Sequence, residues 1–189
     1  MNWFVETLKK ICKPVPRVYV ETGLFRGDGI QNAIGHFEEI HGIELDPIFH
    51  ADCRQRFLDE PNVYIHFGDS AQVIKYLSIE EPALFFLDAH YSGGKTAYGR
   101  IEDKGCPVLR ELEAISKRPY TDIIVVDDYR LMGKLEWSGE DGTDWPRTQF
   151  DFRHATTENM LKALNYPSRN VDTFVAEDID RLILMPYTV

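Results

Sequence analysis

The sequence has few cysteines, no long apolar run and no excess of basic residues, and each of these absences excludes a class of protein. The three cysteines, Cys12, Cys53 and Cys106, lie far apart and form no CxxC pair, which disfavours a disulfide framework and a thiolate zinc site. We therefore expect reduced cysteines and a cytoplasmic protein. No apolar run approaches the roughly 20 residues of a membrane span. Residues 1–10 mix acids, bases and apolar residues, which is not typical of a signal peptide.

The charge balance limits the kinds of partner. The chain has 21 Lys and Arg residues against 31 Asp and Glu residues, a formal net charge of −10. Broad contact with a phosphate backbone depends on Lys and Arg that neutralise phosphates. We therefore expect no nucleic-acid partner. Nothing in the composition excludes a homo-oligomer.

Strand-like apolar runs alternate with helical patterns along almost the whole chain, which predicts one α/β domain over residues 1–189. The predicted strands are Arg17–Glu21, Ile40–Leu45, Val63–Phe67, Ala83–Asp88, Ile123–Asp127, Asp172–Ala176 and Arg181–Met185. The predicted helices are Trp3–Cys12, Gly29–Phe37, Pro47–Leu58, Ala71–Leu77, Pro107–Lys117 and Thr156–Leu164. Right-handed crossovers then give a Rossmann-like three-layer sandwich around a mostly parallel seven-stranded sheet. Residues 177–180 are too short for a crossover, so the last two strands form an antiparallel hairpin.

Two long segments, 89–106 and 129–153, resist assignment to helices or strands. Both are rich in glycine and polar residues, and both follow strands that end in aspartate. Loops of this length are uncommon unless they are functional or disordered. In open α/β sheets, ligands bind outside the carboxyl ends of the strands. We therefore predict that these two loops form the walls of a substrate site.

The first predicted strand runs into a glycine-rich turn. Gly23, Gly27 and Gly29 let the backbone bend sharply and approach a ligand at the start of the next helix. Their spacing is neither GxGxxG nor GxxxxGK[ST], so the fingerprints of dinucleotide-binding and P-loop proteins are absent. On its own, the turn is also compatible with a tight strand–helix connection.

Acidic residues at the ends of the next two strands indicate what kind of ligand the turn could bind. Glu44 is placed to clasp both hydroxyls of a ribose, because a carboxylate offers two acceptor oxygens and no donor. Asp46 is better placed to cap the helix that starts at Pro47. Asp69 can accept from an adenine amino group, or Asp69 or Ser70 can cap a helix. The ordered set of strand ends indicates a cofactor that contains a nucleoside.

At this point the sequence resembles class I S-adenosylmethionine-dependent methyltransferases, over nearly the whole chain. The terminal antiparallel hairpin is characteristic of that family. The resemblance implies that the cofactor is S-adenosylmethionine. The residues implied to contact it are Glu21, Thr22, Gly23, Phe25, Gly27, Glu44, Asp69, Ser70 and Asp88.

The fourth and fifth strands end in acids that neighbouring parallel strands bring together. These are Asp88, Asp127 and Asp128. Three carboxylates in a small volume repel one another, so a site of this kind normally needs a cation. Oxygen ligands without a nearby cysteine favour Mg²⁺ or a similar ion. Each aspartate taken singly can instead cap a helix or bind loop amides.

The segments 21–27, Leu87-Asp88 and Val126-Asp-Asp-Tyr129 are similar to the macrocin O-methyltransferase family, which methylates sugar hydroxyls with the help of Mg²⁺. Catechol O-methyltransferases, which use a metal in a similar way, are more distantly similar. The resemblance implies that Asp88, Asp127 and Asp128 hold the metal and that a sugar or another small glycan-type molecule is the acceptor. The family has Asp-x-Asp after the fourth strand, where this chain has Asp88-Ala-His90, and this chain lacks the family's longer N-terminal segment.

The expected mechanism is an in-line methyl transfer. The metal lowers the pKa of the acceptor hydroxyl, and His90, or failing that an aspartate such as Asp88, removes its proton. His90 is equally compatible with a metal ligand or a structural histidine. The acceptor is expected to contact His90, Tyr91, Tyr129 and Trp145, with Trp137 as a further aromatic candidate, although loop packing explains such aromatics equally well.

Two other functions remain open from the sequence. Strand-end aspartates with Mg²⁺ also serve phosphoryl transfer, so a metal-dependent hydrolase is one alternative. It leaves Glu44 and Asp69 unexplained, and the first strand lacks an Asp-x-Asp nucleophile pattern. The other alternative is a catalytically inactive cofactor-binding module, because His90 stands where the family has its second acid.

Overall fold

The structure is a computed structural model that describes residues 14–140, 142–143, 146–165, 170–176 and 180–187. The predicted helix Trp3–Cys12 and the predicted substrate residue Trp145 lie outside the described residues. Within the described part of the chain, no helix combines the length and the apolar character that a membrane span requires.

The centre of the molecule is a seven-stranded sheet. The strands of the chain are β1 (Val18–Thr22), β2 (Glu39–Glu44), β3 (Val63–Phe67), β4 (Ala83–Leu87), β5 (Ile123–Val126), β6 (Leu135–Ser138), β7 (Thr148–Asp151), β8 (Asn170–Ala176) and β9 (Arg181–Tyr187). The large sheet has the order β3-β2-β1-β4-β5-β9-β8. Its first five strands run parallel, and β9 runs antiparallel to both β5 and β8. The predicted α/β fold with a C-terminal antiparallel hairpin is therefore confirmed.

The helices are shorter than the sequence predicts. They are α1 (Asp28–Ala33), α2 (Pro47–Arg56), α3 (Ser70–Val73), α4 (Val108–Ile115) and α5 (Thr157–Leu164). Helix α1 ends well before Phe37, because Gly35 takes a φ of 80° that breaks the helical path. The predicted helix Ala71–Leu77 is one α-helical turn followed by a 3₁₀ turn over Ile74–Tyr76. Two other 3₁₀ turns lie at Ile101–Asp103 and Tyr129–Leu131.

The helices cover both faces of the sheet and create two apolar layers. Along β1, Val18 and Val20 pack with residues of α4 and α5, whereas Tyr19 packs with residues of α1 and α2. This alternation follows from the two-residue period of a strand. Strand β4 lies between two neighbours and is buried along its whole length, which explains why its sequence is continuously apolar. Both layers end at the same place, the carboxyl edge of the parallel strands.

The prediction that residues 129–153 form a loop is wrong in part. The segment contains a hairpin, in which β6 and β7 pair antiparallel. Phe150 and Phe152 are buried in the same apolar cluster as β4 and α5. Their alternation with polar residues is the signal of a half-buried strand, but it is too short to stand out between glycines.

The Asp46 cap gives a prediction about stability. Its carboxylate accepts from the backbone N–H groups of Ile48 (2.8 Å) and Phe49 (3.1 Å) at the start of α2, as the sequence predicts. Asp46→Ala should lower the free energy of unfolding by about 1 kcal/mol, the usual contribution of an N-cap. Urea unfolding measures this change. The matched control is Asp52→Ala, an exposed acid within the same helix, and an equal loss in both variants would contradict the cap.

Candidate functional site

A cleft of about 730 Å³ opens at the carboxyl edge of the sheet. Residues from the ends of β1, β2 and β4 line it together with part of the loop after β4. The sequence-predicted residues in its lining are Gly23, Phe25, Glu44, Asp69, Ser70, Asp88 and His90. The fold thus brings the strand-end residues together in one place.

The glycine-rich turn packs closely against neighbouring segments because Gly23 and Gly27 have no side chains. A Cβ atom at Gly23 would lie 2.4 Å from the carbonyl oxygen of Asp88, and the φ of Gly23 is +75°. Gly27 has a φ of +81°, and its Cβ would lie 2.7 Å from the ring of Phe57. Both positions therefore need glycine for space and for backbone conformation.

Glu44 holds this turn in place. Its Oε2 accepts from the backbone N–H of Phe25 (2.9 Å), a residue with a φ of 49°, and its Oε1 accepts from the N–H of Asp46 (2.7 Å). The residue is only 6% exposed, and it lines the cleft. Each carboxylate oxygen retains acceptor capacity beyond these two bonds. Glu44 can therefore serve the turn and a ribose at the same time.

The carboxylate oxygens of Asp69 accept hydrogen bonds from donors of the protein itself. Its oxygens accept from the N–H of Gln72, from both terminal nitrogens of Arg110 (3.0 and 2.8 Å) and from Nε of Arg100 (3.1 Å). Burial raises the pKa of Asp69, but the two arginines outweigh it and hold that pKa below its usual value. Four donors match the acceptor sites of a carboxylate. The helix-cap interpretation is thus supported, whereas the proposed contact with an adenine amino group has no free acceptor. Ser70 remains in the cleft lining.

Asp88 and His90 stand where the first cleft meets a second one. Burial raises the pKa of Asp88 well above its ordinary value, and the nearby carboxylates of Asp127, Asp128 and Glu21 raise it further. The imidazole of His90 lies between two carboxylates, with Nε2 3.0 Å from Asp128 and Nδ1 3.4 Å from Asp88. Neither ring nitrogen is directed away from a carboxylate. His90 is therefore better placed to orient these acids than to act alone as a base.

The three aspartates predicted to hold a metal are paired with cations of the chain itself. Arg181 donates to Asp127 at 2.8 Å, Arg130 pairs with Asp128, and His90 lies against Asp88 and Asp128. Within the described residues, no group of three His, Cys, Asp or Glu side chains is arranged to hold a metal ion. The donor set at Asp88, Asp127 and Asp128 thus does not fit the predicted Mg²⁺ site. Arg181 and Arg130 offset part of the repulsion that called for a cation.

Three predicted cofactor residues shape the cleft without lining it. Glu21 and Tyr19 lie on the face of β1 that packs against α1, and the Tyr19 hydroxyl donates to Glu21 at 3.0 Å. Burial raises the pKa of Glu21 to about 8. Thr22 accepts from the backbone N–H of Asp88 at 3.3 Å. Gly27 begins α1. The two-residue period of β1 explains why Glu21 is directed away from the cleft.

The second cleft, of about 770 Å³, shares Asp88, His90 and Ser92 with the first. Its other walls come from the loop after β5 and from the β6–β7 hairpin. They include Asp127, Asp128, Arg130, Ser138 and Phe150. The side walls of the two clefts are thus drawn from the segments 89–106 and 129–153 that the sequence singled out.

The aromatic residues predicted to contact the acceptor pack within the protein instead. Tyr91 lies against Tyr98 and Phe150. The hydroxyl of Tyr129 hydrogen-bonds the hydroxyl of Thr157 at 2.7 Å. Neither tyrosine belongs to the lining of the two clefts. Their loop position alone could not distinguish packing from binding, and Trp145 lies outside the described residues.

No protein-family model matches the chain, and no curated protein matches it. Many solved structures do match it. One is SAM-bound CalS10, an amino pentose methyltransferase from Micromonospora echinaspora (TM-score 0.59, 12% identity, 97% of this chain and 89% of that one). Another is the glycopeptide N-methyltransferase MtfA complexed with S-adenosylmethionine (0.61, 9%, 100% and 94%). A third is the sugar N-methyltransferase KedS8 from a Streptoalloteichus species (0.59, 12%, 97% and 85%).

The chain has the class I methyltransferase fold. At these identities the similarity establishes the fold alone.

Sequence reasoning missed three arginines that pair with acids of the site in this methyltransferase fold. Arg110 reaches Asp69 and Asp103, Arg130 reaches Asp128 and Asp180, and Arg181 reaches Asp127. The sequence contained a signal for Arg181, because this residue begins the last strand of the predicted hairpin. The sequence contained no signal for Arg110 and Arg130, because their partners depend on how a helix and a loop pack.

The raised pKa of Glu21 predicts how stability changes with pH. The folded state keeps a proton on Glu21 up to about pH 8, whereas an unfolded glutamate loses it near pH 4.5. Between these values the folded state binds more protons, so its stability falls as pH rises. Glu21→Gln removes this contribution. Between pH 5 and pH 9, its free energy of unfolding should fall less than that of the wild type, by on the order of 4 kcal/mol.

Chemical denaturation across that pH range measures the difference. Glu113→Gln, an exposed glutamate on α4, is the matched control and should follow the wild-type curve. Parallel curves for wild type and Glu21→Gln would contradict the burial of an ionisable Glu21.

Proposed function

We propose that this protein is an S-adenosylmethionine-dependent methyltransferase that methylates a hydroxyl of a small polar acceptor, such as a sugar. One observation carries the proposal. A cleft framed by a glycine-rich turn and Glu44 opens, through the shared residues Asp88, His90 and Ser92, into a second polar cleft. Two adjoining clefts are what a reaction between two bound molecules requires, because positioning both reactants accounts for much of the acceleration.

The first cleft suits the methyl donor. Gly23 and Phe25 frame the turn, Glu44 has acceptor capacity left for ribose hydroxyls, and Ser70 lies at the opposite side. When bound, S-adenosylmethionine supplies an electrophilic methyl group on a cationic sulfur. The acidic surroundings of Asp88 favour such a cation electrostatically.

Asp88 is the residue we propose to accept the acceptor's proton. It lines both clefts, and its raised pKa makes it a stronger base than an ordinary aspartate. His90 holds Asp88 and Asp128 in place through its two ring nitrogens. We therefore assign the role of base, for which the sequence analysis favours His90, to Asp88. Ser92 and Ser138 offer hydroxyls that orient a polyhydroxylated acceptor.

The proposal contains no metal step. Arg181, Arg130 and His90 already pair with the three aspartates that would be the ligands. The two arginines would have to release Asp127 and Asp128 before a metal ion could bind all three aspartates.

An amine is a second candidate acceptor. Asp88 lines the second cleft, and its neighbour among the basic side chains is His90 rather than an arginine. A protonated amine would need a base to release its lone pair, and Asp88 lies in this cleft to serve as that base. CalS10, MtfA and KedS8 are named for methyl transfer to amino pentose, glycopeptide nitrogen and sugar nitrogen.

Binding of the donor is the first prediction of this proposal. Isothermal titration calorimetry of the wild type with S-adenosylmethionine should give a micromolar dissociation constant. Glu44→Ala should weaken it at least about tenfold, because the variant loses the ribose acceptor and a support of the Phe25 turn. The control is Glu80→Ala, an exposed acid that does not line the cleft. Absence of wild-type binding would contradict the methyltransferase proposal and would favour the hydrolase alternative.

Turnover is the second prediction. With a radiolabelled methyl donor, an acceptor screen should use pairs of sugars that differ only by a hydroxyl or an amine at one carbon. Asp88→Asn should lower kcat by about 100-fold or more on the preferred acceptor, since general-base contributions are usually of that size. EDTA should leave the rate unchanged. A rate that EDTA abolishes and Mg²⁺ restores would contradict the metal-free scheme, and donor binding without any turnover would favour the inactive module.

A further inference from the structure

The loop after β4 crosses the first cleft before the chain enters α4. Its residues 92–100 form a segment, the strap, that contributes Ser92, Thr96, Ala97, Tyr98 and Gly99 to the lining of that cleft. In the sheet, β4 lies next to β1, and β2 and β3 lie beyond β1. The far end of the strap nevertheless reaches residues that follow β2 and β3. The strap therefore passes the end of β1, from which the glycine-rich turn starts.

Two contacts place the far end of the strap on the opposite wall of the cleft. Nε of Arg100 donates to Oδ2 of Asp69 at 3.1 Å, and Asp69 follows β3 and caps α3. A Cβ atom at Gly99 would lie 3.7 Å from Cδ2 of Leu45, the residue after β2. Leu45 and Asp69 line the cleft themselves. The strap thus spans the cleft from the side of β4 to the side of β2 and β3.

The near end of the strap is held by contacts that do not involve Arg100. The backbone N–H of Tyr91, just before the strap, donates to the carbonyl of Gly105 at 2.6 Å. Inside the strap, Oγ1 of Thr96 accepts from the backbone N–H of Ser92 at 3.1 Å, which closes a compact turn. The near end therefore has its own support when the contact of Arg100 opens.

Asp69 is a fixed partner, whereas Arg100 is a releasable one. Both terminal nitrogens of Arg110 hold Asp69, at 3.0 and 2.8 Å, and the same guanidinium also binds Asp103. The side chain of Arg100 is 47% exposed, against 23% for Arg110. Exposed ion pairs are weak and are screened by salt. Glu102 lies 3.7 Å from the Arg100 guanidinium and can take over as its partner when the pair opens.

We propose that the Arg100–Asp69 ion pair is a latch, which fastens the strap over the methyl donor and sets how fast the donor enters and leaves. Arg100 is thus a positioning residue, which acts through the strap and does not touch the donor. Closing segments of this kind exclude water from the reacting groups. This inference rests on the proposed function, because it assigns the strap to the cleft that would bind S-adenosylmethionine.

The experiment measures binding rates by surface plasmon resonance on the immobilised full chain. The two probes are S-adenosylmethionine and S-adenosylhomocysteine. Arg100→Gln removes the latch. Lys104→Gln is the matched control, because Lys104 is 49% exposed and pairs with Asp151 at 3.2 Å instead of with Asp69. Amide hydrogen exchange of residues 92–99 without any probe, and thermal melting, run in parallel.

We expect Arg100→Gln to raise both kon and koff by about threefold, a change that the loss of an exposed ion pair allows. The two rates rise together because an open strap obstructs neither entry nor exit. Both probes should respond equally, since a latch does not depend on the charge of the sulfur. The amides of residues 92–99 should exchange faster in this variant, whereas those of β4 should keep the wild-type rate. Lys104→Gln should change kon and koff by less than about twofold.

The wild type supplies a second measurement, which needs no variant. Raising the KCl concentration from about 0.05 M to about 0.5 M should increase both rates, because salt screens an exposed ion pair. In Arg100→Gln the increase should be smaller, since the latch is already absent. Should this variant fail to fold, wild-type rates that do not rise with salt overturn the latch.

If Arg100→Gln leaves both rates and the exchange of residues 92–99 unchanged, the latch is overturned while the proposed function stands. A rise in koff alone also overturns it, because Arg100 would then hold the donor without controlling its entry. Equal effects of Arg100→Gln and Lys104→Gln would indicate a general effect of charge and would overturn the latch as well. A wild type that binds neither probe overturns the proposed function and this inference with it.

Discussion

The burial of carboxylates at the carboxyl edge of the sheet is the constraint on which the rest of this structure depends. Glu21, Asp88 and Asp127 follow or end adjacent strands, and the parallel order of those strands places them side by side. Like charges at this distance raise one another's pKa values and destabilise the folded chain unless they are compensated. Burial raises the pKa values of Asp88 and Glu21, and the neighbouring carboxylates raise them further.

The need for cations that offset these carboxylates explains two features that the sheet does not require for its own packing. The antiparallel return of β9 places Leu182 opposite Val126, so that Arg181 lies beside Asp127. The 3₁₀ turn after β5 carries Arg130 to Asp128 and Asp180. The terminal hairpin therefore closes the apolar core and also supplies a cation to the site. Loss of the hairpin would leave a buried acid unpaired, and that cost exceeds the cost of losing an exposed ion pair.

Most of the fold could be predicted from the sequence, because long apolar strands and their spacing restrict the topology severely. Runs such as Ala83–Leu87 are continuous, and the short link at 177–180 permits only a hairpin. The positions of Gly23 and Glu44 followed in the same way, since strand ends in a parallel sheet share one edge. The short helices were less predictable, because single residues such as Gly35 decide where they end.

The electrostatics of the site could not be predicted to the same depth. The sequence displays acids at strand ends, but the cations that pair with them come from remote segments. Arg110 meets Asp69 across 41 residues, and Arg181 meets Asp127 across 54. No local periodicity encodes such pairs. A cluster of strand-end aspartates therefore predicts a metal site from the sequence alone, whereas the arginines that pair with Asp127 and Asp128 become apparent only in the structure.

Internal cations and a metal ion are not equivalent solutions to the same repulsion. A bound metal has open coordination positions and can hold an acceptor oxygen directly. An arginine that spends its donors on Asp127 has none of that capacity, so it neutralises charge without orienting a substrate. In the proposed metal-free scheme, orientation comes from hydrogen-bonding groups at the junction of the two clefts, where Asp88, His90 and Ser92 lie. Because His90 is itself held by Asp88 and Asp128, these two partly exposed carboxylates fix the geometry on which any transfer between the clefts depends.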